Sequence, residues 1–256
     1  MLGPYRGEPI KVVKTHHRAG FRMLMPQEAL LGNLFLVGGT FRWEEEETEI
    51  VLQHLSPTDV FVDIGANTGY YTLLAQARCR RVYAFEPGKQ FFRELLANLS
   101  LNDGANVTAL NYGLFSGAHE AYLKVSRGKL IFPAAASVKQ SDLEAINRRD
   151  ANFEKIDLRV FDEVREELGI PKVDFLKVDV EGAEIDVLLG MRRTLSEEHP
   201  SILLSVHPSK LTTFGRRNDD LFDLLRKFGY EFRAISGIEE EVVQPSYTLN
   251  STLFCW

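Results

Sequence analysis

The segment that most limits the possible folds is a short apolar run followed at once by a glycine-containing turn. Val60–Ile64 is apolar except for Asp63, and it leads through Gly65 and Gly69 into helix-forming residues that start at Tyr70. An almost continuous apolar run of this length is typical of a strand covered on both faces of a parallel sheet. A strand, a tight turn and a helix in this order predict the first β-α unit of a doubly wound α/β fold.

Further β-α units follow along the chain. Because short apolar runs indicate strands and amphipathic runs indicate helices, the alternation predicts a parallel sheet with helices on both faces. We predict strands at Arg81–Phe85, Asn106–Leu110, Val173–Val178, Ser201–Val206 and Tyr230–Ile235, with Ser251–Cys255 closing the chain, and helices over Tyr70–Ala77, Phe91–Leu99, Ile185–Leu195 and Asp219–Lys227.

Two other parts of the chain are less regular. Residues 1–58 contain short β-like stretches, the acidic run Glu44–Glu47 and a short helix that ends near Ser56. We predict that residues 1–58 form a small N-terminal cap or lid, and that residues 59–256 form one α/β domain. The stretch Asn111–Arg159 is predicted to contain a strand near Ala121–Val125 and a loop over the ligand site.

Composition limits the partners and the setting of the protein. The formal net charge of −6 argues against broad binding of nucleic acid, which needs clustered lysine and arginine. No apolar run is long enough to cross a membrane, and no secretory signal is evident, so we expect no membrane partner. The two cysteines lack metal-binding spacing, which favours free thiols in the cytoplasm.

The turn after the first strand carries the residues that indicate a ligand. Gly65 permits a positive φ and a close backbone approach, and Asn67 tolerates the left-handed region better than most residues. The dinucleotide fingerprint G-x-G-x-x-G is not met, because Asn67 and Tyr70 stand at its second and third glycine positions. Asp63 precedes the turn, where a carboxylate repels phosphate and attracts an ammonium group. These features favour S-adenosylmethionine, a phosphate-free cation, over NAD.

Glu86 is the second candidate for binding the cofactor. It ends the next strand, within the run Val82–Pro87, and it follows the turn by about 20 residues, as expected of an acid that binds ribose hydroxyls. A lone glutamate at a strand end is otherwise typical of a solvated cap. The prediction that Glu86 binds the ribose therefore depends on its pairing with the glycine-containing turn.

Candidate catalytic residues follow two later strands. Lys177, Asp179 and Glu181 alternate, so they share a face while the strand geometry lasts. A charged residue in an apolar strand is costly unless it is paired, and either carboxylate can pair with Lys177. Alternatively, the carboxylates merely cap the next helix, and Glu184 is expected to be a bystander. His207 follows the next strand, at the same predicted edge of the sheet, where a lone histidine is as often structural as functional.

Four segments together resemble the FkbM family of S-adenosylmethionine-dependent methyltransferases. They are VFVDIGANTGYYT, VYAFEP, DFLKVDVEGAE and ILLSVHP, and the similarity runs in order from Trp43 to His207. The resemblance implies a Rossmann-like class I methyltransferase fold, with a mostly parallel seven-stranded sheet whose last strand is antiparallel. It also implies O-methylation of a hydroxyl on a sugar, a glycan or a natural product.

The resemblance assigns roles to individual positions. It implies that the turn holds the methionine moiety, that Asn111 lies on the adenine side, and that Asp179 and Glu181 face the methyl group. The family often has a carboxylate before the histidine, whereas Ser205 and Val206 stand here, so no metal ligand is predicted and a divalent metal stays open. The implied cofactor-binding residues are Asp63, Gly65, Ala66, Asn67, Gly69, Glu86, Pro87 and Asn111.

These residues lead to a hypothesis for the reaction and to two competitors. An alcohol oxygen is a poor nucleophile while protonated, so we hypothesise that Asp179, Glu181 or His207 accepts the proton while Lys177 tunes the carboxylates. An NAD-dependent oxidoreductase shares the fold but conflicts with the spacing of the turn. A non-catalytic cofactor-binding protein conflicts with the ionisable cluster. We expect a small-molecule or glycan acceptor, and the sequence indicates neither its identity nor the oligomeric state.

Overall fold

The computed structural model describes residues 10–15, 20–26, 36–37, 40–41, 44–124, 153–236 and 251–256. The chain consists of two compact units, residues 1–111 and 112–256. The predicted boundary between residues 58 and 59 falls inside the first unit, and a separate N-terminal cap stays a prediction. Most of the predicted loop over the ligand site, residues 125–152, lies outside the described residues.

The first unit combines a small sheet with three parallel strands and three described helices. Strands β1 to β4 form the small sheet in the order β2-β1-β4-β3, and strands β5, β6 and β7 pair in parallel. The strands are β1 Ile10–Thr15, β2 Arg22–Pro26, β3 Leu36–Val37, β4 Thr40–Phe41, β5 Val60–Ile64, β6 Arg81–Phe85 and β7 Val107–Leu110, and the helices are α1 Glu45–His54, α2 Tyr70–Gln76 and α3 Lys89–Ser100.

The core of the first unit forms around β5. Every residue of this strand is buried, and Val60, Phe61 and Val62 have no exposed surface. Helix α3 contributes Leu95 and Leu99, which are buried at the spacing of one helix face. The prediction of a strand covered on both faces is therefore confirmed, and the turn that follows β5 begins from a rigid base.

The second unit contains the remaining strands. Strands β8, β9 and β10 form a three-stranded sheet in the order β8-β10-β9. The strands are β8 Gly113–Leu114, β9 His119–Lys124, β10 Phe153–Arg159, β11 Phe175–Val178, β12 Ser201–Val206, β13 Phe232–Ser236 and β14 Ser251–Cys255, and the helices are α4 Phe161–Leu168, α5 Glu184–Leu189, α6 Arg192–Glu198, α7 Pro208–Leu211 and α8 Asn218–Lys227, with a 3₁₀ turn at Thr212–Phe214.

The main sheet has the predicted character. It has seven strands, in the order β13-β14-β12-β11-β5-β6-β7. The pairs β5–β6, β6–β7 and β11–β12 are parallel, whereas the last strand, β14, is antiparallel to both β12 and β13. The predicted mostly parallel α/β sheet with an antiparallel last strand is confirmed.

One predicted helix is divided in two. The sequence predicts a continuous helix over Ile185–Leu195, but the chain forms α5 and α6 with a break at Gly190. The backbone of Gly190 lies so close to the carbonyl oxygen of Phe115 that a side chain at this position would clash. Its own carbonyl accepts the N–H of Asp162. The break therefore results from close backbone packing, which the apolar pattern does not reveal.

The helices and the two cysteines agree with what the composition predicts. None of the helices in the described ranges combines the length and the apolar character that crossing a membrane requires. Cys79 and Cys255 are both buried and form no disulfide, as predicted for thiols without metal-binding spacing. Burial raises the pKa of the Cys255 thiol, which keeps it protonated and unreactive.

Candidate active site

The turn after β5 has the backbone conformation that its sequence predicts. Gly65, Asn67 and Gly69 have φ values of 81°, 52° and 96°, all in the left-handed region. Gly69 also lies directly against Leu95 of α3, where a larger side chain would displace the leucine. The asparagine thus occupies the strained position that its short polar side chain tolerates, and the turn is tightly held.

The N–H groups of this turn already have acceptors within the protein. Those of Gly65 and Ala66 donate to the carbonyl of Phe85, and that of Gly69 donates to the carbonyl of Ala66. The N–H of Asn67 donates to Oε2 of Glu86 at 2.8 Å, and the N–H of Thr68 donates to the Asn67 side chain at 2.8 Å. A dinucleotide-binding loop instead directs its N–H groups at the pyrophosphate.

Glu86 lies against the turn, as the ribose-binding prediction requires. It is only 6% exposed, and its Oε1 accepts the N–H of Gly88 at 2.7 Å while its Oε2 accepts the N–H of Asn67. These two contacts fix both carboxylate oxygens beside the turn. Glu86 therefore both shapes the turn and presents a charged acceptor beside it.

Asp63 is buried beneath the same turn. It is 2% exposed, and its Oδ2 accepts the hydroxyl of Thr72 in α2 at 2.5 Å. A carboxylate buried at the start of a helix is stabilised by the positive end of the helix dipole. Together with Glu86, it gives the turn a negative environment, which agrees with the predicted preference for a cationic ligand.

Asn111 holds the segment that carries Glu86. Its side-chain amide donates to the carbonyls of Glu86 and Pro87, at 2.8 and 3.1 Å. This contact places Asn111 in the same cluster as the predicted ribose acid. Its proposed place on the adenine side stays a prediction, and its observed contacts are those of a positioning residue.

Sequence reasoning missed Asn98 in α3. Its amide donates to the carbonyl of Thr68 at 2.8 Å, and its Oδ1 accepts the N–H of Leu24 in β2 at 2.7 Å. It is 1% exposed, between Leu95 and Leu99 on the apolar face of the helix. A polar residue on that face was the available signal, because a buried amide must find hydrogen-bond partners.

In the second unit, Lys177 pairs with Asp179. The Lys177 side chain is 2% exposed, and its ammonium donates to Oδ2 of Asp179 at 3.2 Å and to the hydroxyl of Ser205 at 2.7 Å. The Ser205 hydroxyl donates to the same carboxylate oxygen at 3.1 Å. The predicted pairing of the buried lysine is thus present, and Ser205, which sequence reasoning missed, completes it.

Glu181 joins this cluster through a turn rather than through strand alternation. Strand β11 ends at Val178, and Glu181 and Gly182 have φ values of 56° and 110°. A side chain on Gly182 would meet the side chain and backbone of Lys210 at 2.8 to 3.0 Å. The glycine therefore permits the close approach in which the ammonium of Lys210 contacts the Glu181 carboxylate.

His207 connects the three carboxylates of the motif. Its Nδ1 lies 2.7 Å from Oε1 of Glu184, and its Nε2 lies 3.4 Å from Oε2 of Glu181 and 3.8 Å from Oδ1 of Asp179. Glu184 is completely buried and also accepts the N–H of Gly182 at 2.9 Å. The expected bystander is therefore the residue that orients the histidine. Sequence reasoning missed this contact, which only the packing of β12 against the turn creates.

The charge state of Asp179 follows from its neighbours. Burial raises the pKa of this carboxyl, but the electrostatic interactions with Lys177 and His207 and the hydrogen bonds from Lys177 and Ser205 outweigh that effect and lower the pKa overall. Asp179 is therefore ionised at neutral pH. It is better suited to hold a cation or to orient a neighbour than to take up a proton, because a carboxylate of lowered pKa is a weak base.

Comparison with known proteins assigns a family. Residues 63–232, which make up more than half of the chain, match the methyltransferase FkbM domain. The crystal structure of a methyltransferase FkbM from Methylobacillus flagellatus has a TM-score of 0.51 at 20% sequence identity, and the match covers 79% of this chain and 44% of that one. This likeness confirms the class I methyltransferase fold.

Two sequence relatives lie at a similar distance. AMB antimetabolite synthetase AmbE of Pseudomonas aeruginosa is 32% identical over 206 residues, which are 69% of this chain and 10% of that protein. Hexuronic acid methyltransferase AglP of Haloferax volcanii is 28% identical over 166 residues, 65% of this chain and 63% of that protein. The chain thus spans about a tenth of one relative and less than two thirds of the other. By its sequence motifs, its fold and its match to the domain, this chain belongs to the FkbM methyltransferase family.

Proposed function

We propose that this protein transfers a methyl group from S-adenosylmethionine to a hydroxyl oxygen of a small-molecule or carbohydrate acceptor. The observation that carries the proposal is the turn after β5, where the N–H groups of Gly65 to Gly69 are bound within the protein and the carboxylate of Glu86 lies beside them. Such a turn offers hydroxyl-binding and cation-binding groups rather than a cradle for phosphate.

The chemistry of the first unit fits S-adenosylmethionine better than a dinucleotide. Two buried carboxylates flank the turn, since Asp63 lies in β5 and Glu86 directly follows β6. Their charge attracts the cationic ligand and repels the two phosphates of NAD. Glu86 is a bidentate acceptor for the paired hydroxyls of a ribose, and hydrogen bonds to a charged acceptor are about twice as strong as neutral ones.

The cofactor, when bound, supplies an electrophilic methyl group that needs no further activation by the protein. The protein must hold the acceptor oxygen in line with that methyl group and exclude water, and orientation of this kind can account for about 7–11 kcal/mol of a barrier. The residues of the first unit bind the cofactor, and the cluster of the second unit prepares the acceptor.

The cluster in the second unit supports oxygen as the methylated atom. A hydroxyl becomes a competent nucleophile only when its proton is withdrawn or its charge is stabilised. Asp179, Glu181 and His207 offer three adjacent groups for this purpose, with Lys177 fixing one of them. The relative named as a hexuronic acid methyltransferase supports a carbohydrate acceptor.

Transfer of an isotope-labelled methyl group tests this proposal. Purified protein is incubated with labelled S-adenosylmethionine and with glycosides, uronic acids and polyhydroxylated natural products, in parallel with an extract of the source organism. We expect label in a methyl ether, which survives mild alkali. Label that alkali releases as methanol would identify a carboxylate acceptor and contradict hydroxyl methylation. A cofactor that binds without any labelled product would favour a non-catalytic binding protein.

A further inference from the structure

The cluster formed by Asp179, Glu181 and His207 has a property beyond acid–base chemistry. Each residue offers one donor atom, and the three donor atoms lie within 4.8 Å of one another. We infer that this cluster is a binding site for a divalent metal ion, with Asp179 Oδ1, Glu181 Oε2 and His207 Nε2 as its protein ligands. The two sequence segments that supply these ligands, DVEG and SVH, both belong to the second unit of the fold.

The orientation of His207 is the first argument for a metal. The His207 side chain is 10% exposed, and its Nδ1–H donates to the fully buried carboxylate of Glu184. In this tautomer, the lone pair of Nε2 lies on the side of the Glu181 and Asp179 carboxylates. The lone pair and the negatively charged oxygens repel one another. A cation between the three atoms converts this repulsion into ligation. A carboxylate on the second ring nitrogen is also the usual arrangement behind a metal-bound histidine.

Asp179 is oriented in the same manner. Its Oδ2 accepts the hydrogen bonds of Lys177 and Ser205, whereas its Oδ1 is the atom nearest to Nε2 of His207. One oxygen is therefore anchored by the surrounding residues and the other is presented to the cluster. Metal sites depend on such outer contacts, which fix the ligand and reduce the entropy lost on binding.

The charge balance shows what the cluster lacks. Asp179, Glu181 and Glu184 are three carboxylates, and among the residues that the structure describes the ammonium groups of Lys177 and Lys210 form ion pairs with them. With a neutral imidazole, one formal negative charge remains. If a divalent ion replaces the ammonium of Lys210 at Glu181, the cluster becomes neutral. Lys210 lies on the surface side of the site, with a side chain 26% exposed, and can turn toward solvent.

The distances suit a single ion. Two ligand atoms at about 2.1 Å from one metal lie up to about 4.2 Å apart when they are opposite and about 3 Å apart when they are adjacent. The separations of 3.4 and 3.8 Å from His207 Nε2 fall in this range, and the oxygens of Asp179 and Glu181 lie within 4.8 Å of each other, so a small movement of these side chains completes the site. One nitrogen and two carboxylate oxygens form a mixed ligand set that suits Mn²⁺ or a similar first-row divalent ion.

The metal gives the cluster a definite task, in a step that rests on the proposed function. Three protein ligands leave coordination positions for other oxygens, as in catalytic rather than structural sites. A bound ion lowers the pKa of a coordinated hydroxyl and orients it. The histidine and carboxylates would then act through the ion, and the metal would select acceptors whose oxygens can bind it. Binding of the ion itself requires neither cofactor nor acceptor.

Binding of Mn²⁺ alone tests the site. The full chain is stripped with chelator and titrated with Mn²⁺ while electron paramagnetic resonance measures the free ion, with no cofactor or acceptor present. We expect one bound ion per chain, and binding weakened by at least about 10- to 100-fold in Asp179→Asn and Glu181→Gln, since the loss of an outer contact of a ligand already has an effect of that size. Asp223→Asn removes the same charge from an exposed helix position and should bind Mn²⁺ as the natural protein does. Circular dichroism checks that each variant is folded.

Lys210→Met provides an independent test in the opposite direction. This variant removes the competing ammonium, so we expect it to bind Mn²⁺ several-fold more tightly than the natural protein. Unaltered binding in the folded Asp179→Asn and Glu181→Gln variants, or the absence of binding, would overturn the inference. Methyl transfer that continues at full rate in chelator would contradict the role of the metal while leaving the proposed function intact. A bound ion without methyl transfer would leave the site intact and contradict the function.

Discussion

Replacement of Glu86 by glutamine is expected to weaken binding of S-adenosylmethionine by about 10- to 100-fold, because a hydrogen bond to a charged group contributes about 1.5–3 kcal/mol. Glutamine keeps the shape of the side chain but has only one oxygen acceptor. In the native protein both oxygens of Glu86 already accept a backbone N–H, from Asn67 and from Gly88. The amide NH₂ of glutamine would face one of these donors, so both the ribose contact and the turn would be weakened.

Isothermal titration calorimetry with S-adenosylmethionine measures this effect. Glu49→Gln serves as the matched control, because Glu49 is an exposed residue of α1 and its replacement removes the same charge from the same unit. We expect the control to bind the cofactor as the natural protein does. Equal affinity of the Glu86→Gln and natural proteins would show that Glu86 caps the strand end and does not bind the ribose.

Replacement of Asp179 by asparagine is expected to lower the rate of methyl transfer by about two to four orders of magnitude, because Asp179 orients the groups that activate the acceptor hydroxyl and such activation typically contributes that much. Asparagine cannot neutralise Lys177, which is 1% exposed and would be left as a buried charge without its carboxylate partner. It also removes the negative charge from Oδ1. The acceptor hydroxyl would consequently lose its activation.

Turnover at saturating cofactor, measured together with cofactor affinity, separates a catalytic defect from a binding defect. We expect the Asp179→Asn protein to bind S-adenosylmethionine normally, because the residues predicted to hold the cofactor belong to the first unit. Asp223→Asn, at a side chain 78% exposed, controls for the change in charge. A folded Asp179→Asn protein with the turnover of the natural protein would remove Asp179 from the reaction.

The elements of the main sheet could be predicted because their sequence patterns are local. Val60–Ile64 and Arg81–Phe85 were expected as strands with these same bounds, since a doubly covered strand must be apolar throughout. The break between α5 and α6 could not be predicted, because it depends on the approach of Phe115 from a distant part of the sequence. The spacing of apolar residues continues across Gly190, and by itself it predicts an unbroken helix.

Some contacts of the candidate site can be anticipated from the sequence in each of the two units. The contact between Asn67 and Glu86 could be anticipated because the spacing of the turn and the acid is a property of the β-α unit itself, while their binding of the cofactor stays a prediction. Lys177 was correctly expected to need a carboxylate partner, since burial of a lone charge is costly. These predictions use only neighbouring residues and the rules of parallel sheets.

The partners that complete the site could not be read in the same way. Ser205 and Glu184 lie 28 and 7 positions from Lys177 along the chain, and nothing in their local sequence marks them as polar contacts of the cluster. Glu184 meets His207 only because Gly182 allows the turn to approach the segment that carries Lys210. Contacts made by folding a turn onto a neighbouring strand need the three-dimensional structure.

The central claim is that the turn after β5 and Glu86 bind a cationic, phosphate-free nucleoside. Calorimetric titration of the purified chain with S-adenosylmethionine and, separately, with NAD tests it most directly. We expect saturable binding of S-adenosylmethionine at one site and no measurable binding of NAD. Saturable binding of NAD by a protein that does not respond to S-adenosylmethionine would contradict it.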